Sequence, residues 1–349
     1  MQARRVEWHA QTLMWNSPWI LHADREGAHP PSHLALAGGS SCSGGDTAQS
    51  KLRVGFIGIG AMGTPMSLNL LKAGFPLTVY DRVPARTAEL AAQGVPVASS
   101  CAEIAKSSDV VITMIGQVAE ELEAVLGPSS DLEGAHPGLI LIDTSTVGIA
   151  ASKKMAAAAR SKGVACLDAT VSGSVGPAKE AKPGFMVGGD RAALDAVEPV
   201  FLAMGERIHH VGPNGAGSAM KMIINLMIGM TVLTVAETLT LGRQAGLDPH
   251  QMLEILGETA VSSPHLKNKG RMMIEHQFAP SFALKYWKKD SDLIMEAAHD
   301  LKTPRFVSAI AHQVYTAAHV AGYGDLDYAS VVKFLESAAA LKIEDNGVD

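Results

Sequence analysis

Val54-Gly55-Phe56-Ile57-Gly58-Ile59-Gly60-Ala61-Met62-Gly63 is the stretch on which the reading of this chain turns. Its first half is a short apolar run, the pattern of a strand buried on both faces of a parallel sheet. Its second half reads G-x-G-x-x-G, and each glycine has a task. Gly58 permits a tight turn, Gly60 lets backbone approach a pyrophosphate, and Gly63 lets a helix pack on the strand. A helix is predicted next, with Pro65 near its start, Leu68, Leu70 and Leu71 within it, and Lys72-Ala73-Gly74 as a basic last turn and stop. Its amino end faces the glycines, where the helix dipole favours an anion.

The pattern continues on the carboxyl side. Leu77-Thr78-Val79-Tyr80 reads as a second strand ending at Asp81, which lies 23 positions after Gly58. That spacing suits the acid that holds the ribose of a dinucleotide. Asp81 repels a 2′-phosphate, whereas the adjacent Arg82 can accept one, so the reading is NAD over NADP with dual use open. Strands are expected at Asp109–Met114, Leu139–Asp143 and Val164–Leu167, and helices at Cys101–Lys106 and Ala151–Lys162. Such alternation predicts an α/β fold, a Rossmann-type doubly wound parallel sheet. Ligands of these sheets bind beyond the carboxyl ends of the strands, where Thr146 and the residues after Asp168 fall.

From about Gly212 the periodicity changes. Val211 to Gly217 reads as a flexible junction, and Ser218 is expected to cap a long helix reaching about Ala245. The apolar centre of that helix, Met222 to Ala236, is about 15 residues long and holds Asn225, Thr231 and Thr234. A bilayer needs roughly 20, so a helix buried between domains or subunits is expected. Asp248 and Pro249 open another helix, and further helical segments are expected near 285–301, 305–321 and 325–340. The organisation is an extension over 1–50, an α/β dinucleotide-binding domain over 51–212, and an all-helical C-terminal domain over 213–342. The cleft between the two domains is the default active site.

Composition sets the outer bounds. Of 349 residues, 47% are hydrophobic and 18% charged, which excludes a mainly disordered chain. Net charge is −6 with no basic block, which argues against nucleic acid or an anionic membrane as main partner. Three cysteines without a close pair suit a reducing compartment, so a cytoplasmic location is expected. Residues 1–50 lack an apolar secretory core and hold four acids against three arginines, unlike a mitochondrial presequence. A disordered extension or an upstream start is expected there, with a mitochondrial location only if it is a genuine presequence.

Three polar clusters carry candidate chemistry. Ser172-Gly173-Ser174 is a turn whose N–H groups and hydroxyls can hold a carboxylate. Lys221 and Asn225, four residues apart, share a helix face, and a partly desolvated lysine can exchange protons. Lys289-Asp290 and Phe282, taken alone, look like a surface charge pair and a core aromatic. His209-His210 lack a third ligand at sensible spacing, so no metal is expected.

Several ordered segments together resemble the β-hydroxyacid dehydrogenase family. They are Gly58-Ile59-Gly60-Ala61-Met62-Gly63-Thr64-Pro65-Met66 with Asn69-Leu70, then Asp143-Thr144-Ser145-Thr146, and Asp168-Ala169-Thr170-Val171-Ser172-Gly173-Ser174. The fourth is Gly212-Pro213-Asn214-Gly215-Ala216-Gly217 followed by Lys221 and Asn225. The resemblance covers about 52–340. It implies hydride transfer between a nicotinamide and a small β-hydroxy acid or its semialdehyde, with Lys221 as general acid and base and Asn225 in support. It implies further that Thr146, Ser172, Gly173, Ser174, Phe282 and Asp290 meet a small carboxylate substrate. Gly58, Ile59, Gly60, Ala61, Met62, Gly63, Asp81, Arg82, Met114, Ile115, Thr146 and Lys289 would then meet NAD or NADP. The chain departs from the family at Thr170 and Gly116, where Pro is common, and at Ala181, where Gly is usual. An imine reductase shares the architecture but usually lacks the lysine, and a silent dinucleotide-binding protein would bind without turnover. The long apolar helix implies a homodimer or homotetramer through the helical domain.

Overall fold

The computed structural model describes residues 51–341; the expectations for the extension over 1–50 lie outside them. At the centre is a seven-stranded sheet in the order β2-β1-β3-β4-β5-β6-β7. β1 (Val54–Ile57) is wholly buried and pairs in parallel with both β2 (Leu77–Tyr80) and β3 (Val110–Thr113). β4 (Ile140–Asp143) and β5 (Ala165–Ser172) extend the parallel array. The expected doubly wound parallel sheet is present in β1–β5, and beyond it β6 (Gly184–Gly188) runs antiparallel to β5, and β7 (Arg207–Gly212) parallel to β6. The reason is length. Only residues 173–183 join β5 to β6, too few for a crossover, which needs a dozen or more. The same pairing carries β5 past the expected Leu167 to Ser172, whose partner is Gly184. Asp168 is therefore a mid-strand residue and not the start of a loop.

Eight helices of this half flank the sheet: α1 (Gly63–Lys72), α2 (Ala88–Ala91), α3 (Cys101–Ser107), α4 (Val118–Leu126), α5 (Asp131–Gly134), α6 (Ile149–Ser161), α7 (Val175–Lys179) and α8 (Arg191–Met204). Alternate residues of each strand face opposite cores. Phe56 and Ile112 meet Met66 and Leu70 of α1 and Val200 and Phe201 of α8. Ile57 and Val111 meet Ile104 of α3, Val125 of α4 and Met155 of α6 on the other face.

The second half is helical: α9 (Ala216–Gln244), α10 (Pro249–Glu258), α11 (Pro264–Ile274), α12 (Leu284–Asp300), α13 (Phe306–Ala318) and α14 (Val331–Ala338). α9 is long and apolar enough to cross a membrane by length and composition. Its Val232, Leu233, Ala236 and Leu239 are nonetheless buried against Trp287 of α12 and Tyr315 of α13. Gly229 makes that packing possible, since a Cβ there would lie 2.0 Å from Trp287 Cζ2. α11 escapes the sequence pattern because its middle is basic and polar, yet its Ser263 cap and Pro264 are in place. The segment expected near 325–340 is a 3-10 turn, Tyr328–Ser330, capped by Asp327 and running into α14.

Candidate active site

At the carboxyl end of β1 the backbone turns through Gly58 at φ 95°, a conformation that favours glycine. A Cβ on Gly63 would lie 1.9 Å from Gly58 O, so α1 approaches the turn as closely as only glycine allows. A Cβ on Gly60, in contrast, meets nothing within 4 Å. Space therefore lies open over the loop, and α1 has no side-chain cap on its amino end. Asp81 is buried beside it. Its Oδ2 accepts the Ile59 N–H at 2.8 Å and its Oδ1 the Val83 N–H at 2.8 Å. Arg82 does not turn towards this carboxylate, because its guanidinium pairs with Glu120 on α4 at 2.6 Å. The cation beside Asp81 is Arg86, at 3.6 Å.

Met114 and Ile115 follow β3, and the turn Thr144-Ser145-Thr146 follows β4. The two are tied together, since the Ile115 N–H donates to Ser145 Oγ at 2.9 Å. Ser172 ends β5, Gly173 follows at φ 145°, and Ser174 opens α7. Ala181, closing the same loop, sits at φ 52°, a left-handed conformation that glycine tolerates better.

α9 is fixed to β5 at its first turn. Asp168 accepts the Gly215 N–H at 2.8 Å through Oδ1 and the Ser218 N–H at 3.0 Å through Oδ2. A buried carboxylate thus satisfies the orphan donors of the helix and complements its dipole. The expected cap by Ser218 is not formed: Gly215, at φ 92°, occupies the cap position, and the Ser218 hydroxyl pairs with Ser152 instead. The Thr170 hydroxyl donates to Gly217 O at 2.8 Å. Gly217 itself admits no Cβ, which would lie 2.2 Å from Asp168 O.

One turn further on, Lys221 is half-buried, and its Nζ donates to Val171 O at 2.7 Å, beside Ser172. Burial lowers its pKa, Asp290 works the other way, and Lys289 lowers it further. Asn225 donates from Nδ2 to Asp290 Oδ2 at 2.6 Å, so it holds Asp290. Lys289 lies 2.9 Å from Asp290 Oδ1 and donates to Thr146 O at 2.6 Å. Asp290 is 2% exposed, so this pair is interior and not a surface pair. α12 runs along the strand-end loops: Tyr286 lies next to Gly116, Lys289 at Thr146 and Leu293 at Gly148. Phe282 is half-buried, stacked on Tyr286 and edge-on to Tyr328. Its loop hangs on Asp327, which accepts from Lys269 at 2.7 Å and from Ser281 Oγ at 2.9 Å.

The geometry can be set beside known proteins. The profile of the NAD binding domain of 6-phosphogluconate dehydrogenase matches residues 53–212. That of the NAD-binding region of NADP-dependent 3-hydroxyisobutyrate dehydrogenase matches 215–335. The chain is 32% identical to 2-(hydroxymethyl)glutarate dehydrogenase of Eubacterium barkeri, over 84% of this chain and 98% of that one. It is 34% identical to glyoxylate/succinic semialdehyde reductase 1 of Arabidopsis thaliana, over 81% of this chain and 98% of the relative. The solved Mycobacterium tuberculosis 3-hydroxyisobutyrate dehydrogenase with L-serine superposes at a TM-score of 0.75 and 31% identity, over 82% and 99%. The chain belongs to the β-hydroxyacid dehydrogenase family. It is an NAD(P)-dependent oxidoreductase, and these relatives favour that reading over an imine reductase.

As a β-hydroxyacid dehydrogenase, the chain offers a dinucleotide the open space at Gly60, the uncapped end of α1 and the buried Asp81. A cavity of about 370 Å³ lined by Arg53, Phe75 and Pro96 lies at the opposite end of β1 and β2 and holds none of the candidate residues. Among the described residues no three His, Cys, Asp or Glu form a metal-binding group. His209 and His210 lie on β7, where His210 bonds to Gly189 O. Lys269, Tyr286, Arg86 and Asp327 escaped the sequence reading. The Ser263-Pro264 start of α11 and the Asp327 cap were the available signals for two of them.

Proposed function

We propose that this β-hydroxyacid dehydrogenase interconverts a small 3-hydroxy acid and its semialdehyde, with Lys221 as the proton-exchanging group. The observation that carries the reading is the placement of one half-buried amine at the end of β5, facing the Thr146–Lys289–Asp290–Asn225 chain. The nicotinamide, when bound, supplies or takes up the hydride. Lys221 protonates the carbonyl oxygen in reduction and takes the alcohol proton in oxidation. Its lowered pKa enlarges the neutral fraction needed for the second task. Oxidation should therefore gain and reduction lose as pH rises through the lysine titration.

Thr146, Ser172, Gly173 and Ser174 surround the position of a substrate carboxylate, with N–H and hydroxyl donors as an anion requires. Phe282 and Tyr286 form an apolar wall, which suits a short carbon chain. Asp290 sets the field at Lys221 and Lys289. Asp81 favours NAD, because a 2′-phosphate would meet a buried carboxylate, although Arg86 tempers the repulsion. The relatives' substrates, glyoxylate and succinic semialdehyde among them, define the first panel. It should be run with NADH and NADPH, on wild type and Lys221→Ala. Lysine-dependent turnover on any member supports the reading, and turnover that survives the substitution removes Lys221 from it.

A homodimer or homotetramer through the helical half is also proposed. Ile223 and Met227 of α9 and Phe306, Val307 and Ile310 of α13 are exposed apolar residues of that half. Sizing of the full chain tests it, and a clean monomer would contradict it.

A further inference from the structure

Behind the Thr144–Thr146 turn lies a group of buried acids that the reaction above does not use. Glu121 on α4, Asp131 on α5 and Asp143 at the end of β4 are all almost fully buried. Among the described residues no cation lies within salt-bridge distance of any of them. A buried carboxylate without a partner is costly, so each must either be neutral or be held by donors. The donors are distributed unevenly. Glu121 Oε1 accepts the Thr113 hydroxyl at 2.6 Å, and its Oε2 accepts the Ser145 hydroxyl at 2.7 Å. Asp143 Oδ1 accepts the Ser145 N–H at 2.8 Å, but its Oδ2 and both oxygens of Asp131 have no partner. Burial pushes the aspartates well up, and Glu121 up to about 7. Glu121 is the one acid of the three with both oxygens hydrogen-bonded. Thr113, Asp131, Asp143 and Cys166 line a cavity of about 10 Å³, at most room for a single water. The cluster is not a ligand site.

Its output is a connection. Ser145 Oγ donates to Glu121 and accepts the N–H of Ile115, in the loop after β3. In the relay Ile115 N–H to Ser145 O–H to Glu121, Ser145 Oγ is held between the loop amide at 2.9 Å and Glu121 Oε2 at 2.7 Å. Thr146, whose carbonyl holds Lys289, is the next residue after Ser145.

We propose that Glu121 is a positioning residue of the reaction. Its carboxyl group, through the Ser145 hydroxyl, locks the Met114–Ile115 loop to the Thr144–Thr146 turn and so shapes the nicotinamide side of the site. The proposal rests on the dehydrogenase reading of that site. Its test is equilibrium binding of NADH and NADPH to the full chain, followed by fluorescence, together with steady-state kinetics. Glu121→Gln, which cannot accept both hydroxyls, should weaken the preferred cofactor about five- to tenfold, the value of roughly one hydrogen bond. It should raise substrate KM while changing kcat at saturation less than threefold. Ser145→Ala should do the same, and the double variant should be no worse than either single one, because both break one relay. Glu121→Leu should bind as weakly as Glu121→Gln while its Tm stays at or above that of wild type, since position 121 no longer buries an acid. A merely structural Glu121 would instead change Tm with unaltered Kd and KM. Wild-type affinity in Glu121→Gln, or effects of Glu121→Gln and Ser145→Ala that multiply, would overturn the proposal. Wild type that binds neither cofactor would instead overturn the dehydrogenase reading beneath it.

Discussion

In the helical half, Asp327 lies 2.7 Å from the Lys269 amine, Glu336 pairs with Arg243, and Asp290 lies 2.9 Å from Lys289. In the sheet half, Glu121, Asp131, Asp143 and Asp168 are just as buried and have no cation among the described residues. For Asp143 and Asp168, strand ends and helix amino termini explain the contrast. They present N–H donors, as Gly215 and Ser218 do to Asp168, so an acid there can be held by dipoles. Helix sides present no free backbone donors, so an acid between helices needs a charged partner. Lys221 stands where the two regimes meet. It is bonded to a strand carbonyl, and the carboxylate that raises its pKa is already shared with Lys289.

That contrast can be broken in several places. Lys221→Ala should have the largest effect, a fall in turnover of about 10²–10⁴-fold with cofactor binding nearly intact, read by steady-state rates and NADH titration. Lys269→Met leaves Asp327 buried without its cation and should cost about 3–5 kcal/mol, measured as a lowered urea midpoint. Glu121, Asp131, Asp143 and Asp168 have no corresponding loss, because among the described residues no cation pairs with them. Asp81→Ala should shift the ratio of kcat/KM for NADPH over NADH upward by about tenfold, and an unchanged ratio would remove Asp81 from cofactor choice.

The smallest effect is a pH dependence. Burial raises the folded-state pKa of Glu121, Asp131 and Asp143. Stability from these groups is complete below their unfolded values near 4, and it declines as pH rises through the folded ones, about 7 for Glu121. Thermal midpoints should therefore drift down between about pH 5 and pH 8 on this account. Asp131→Asn should flatten part of the drift, whereas removing a paired acid of the helical half should not.

Much of the sheet half was legible because its chemistry is carried by backbone. Gly58 and Gly63 announce a turn and a packing contact, and both are where their residue type demanded. The antiparallel return at β6 was not legible from apolar runs, because strand direction depends on connection length and not on composition. In the helical half, Lys221 and Asn225 announced themselves by sharing a face. The partners that hold them did not. Asp290 looked like half of a surface pair, and only the packing of α12 on the strand-end loops makes it interior. Lys269 and Asp327 lie 58 residues apart and share no motif, so nothing local joins them. Arg86 replaces Arg82 beside Asp81 because Glu120 on α4 captures the nearer guanidinium.

The anchorage of α9 on β5 has an engineering consequence. Asp168, Thr170 and Gly217 bolt the first turn of that helix to the sheet, so the lysine one turn later is placed from the sheet side. The proposed substrate wall, Phe282 and Tyr286, is mounted on α12 and the loop before it. On the proposed reading α12 also carries Lys289 and Asp290, so the part of the wall free of the amine's partners is Phe282. A designer could vary Phe282, on the loop before α12, for a bulkier hydroxy acid and leave the anchorage of α9 on β5 in place.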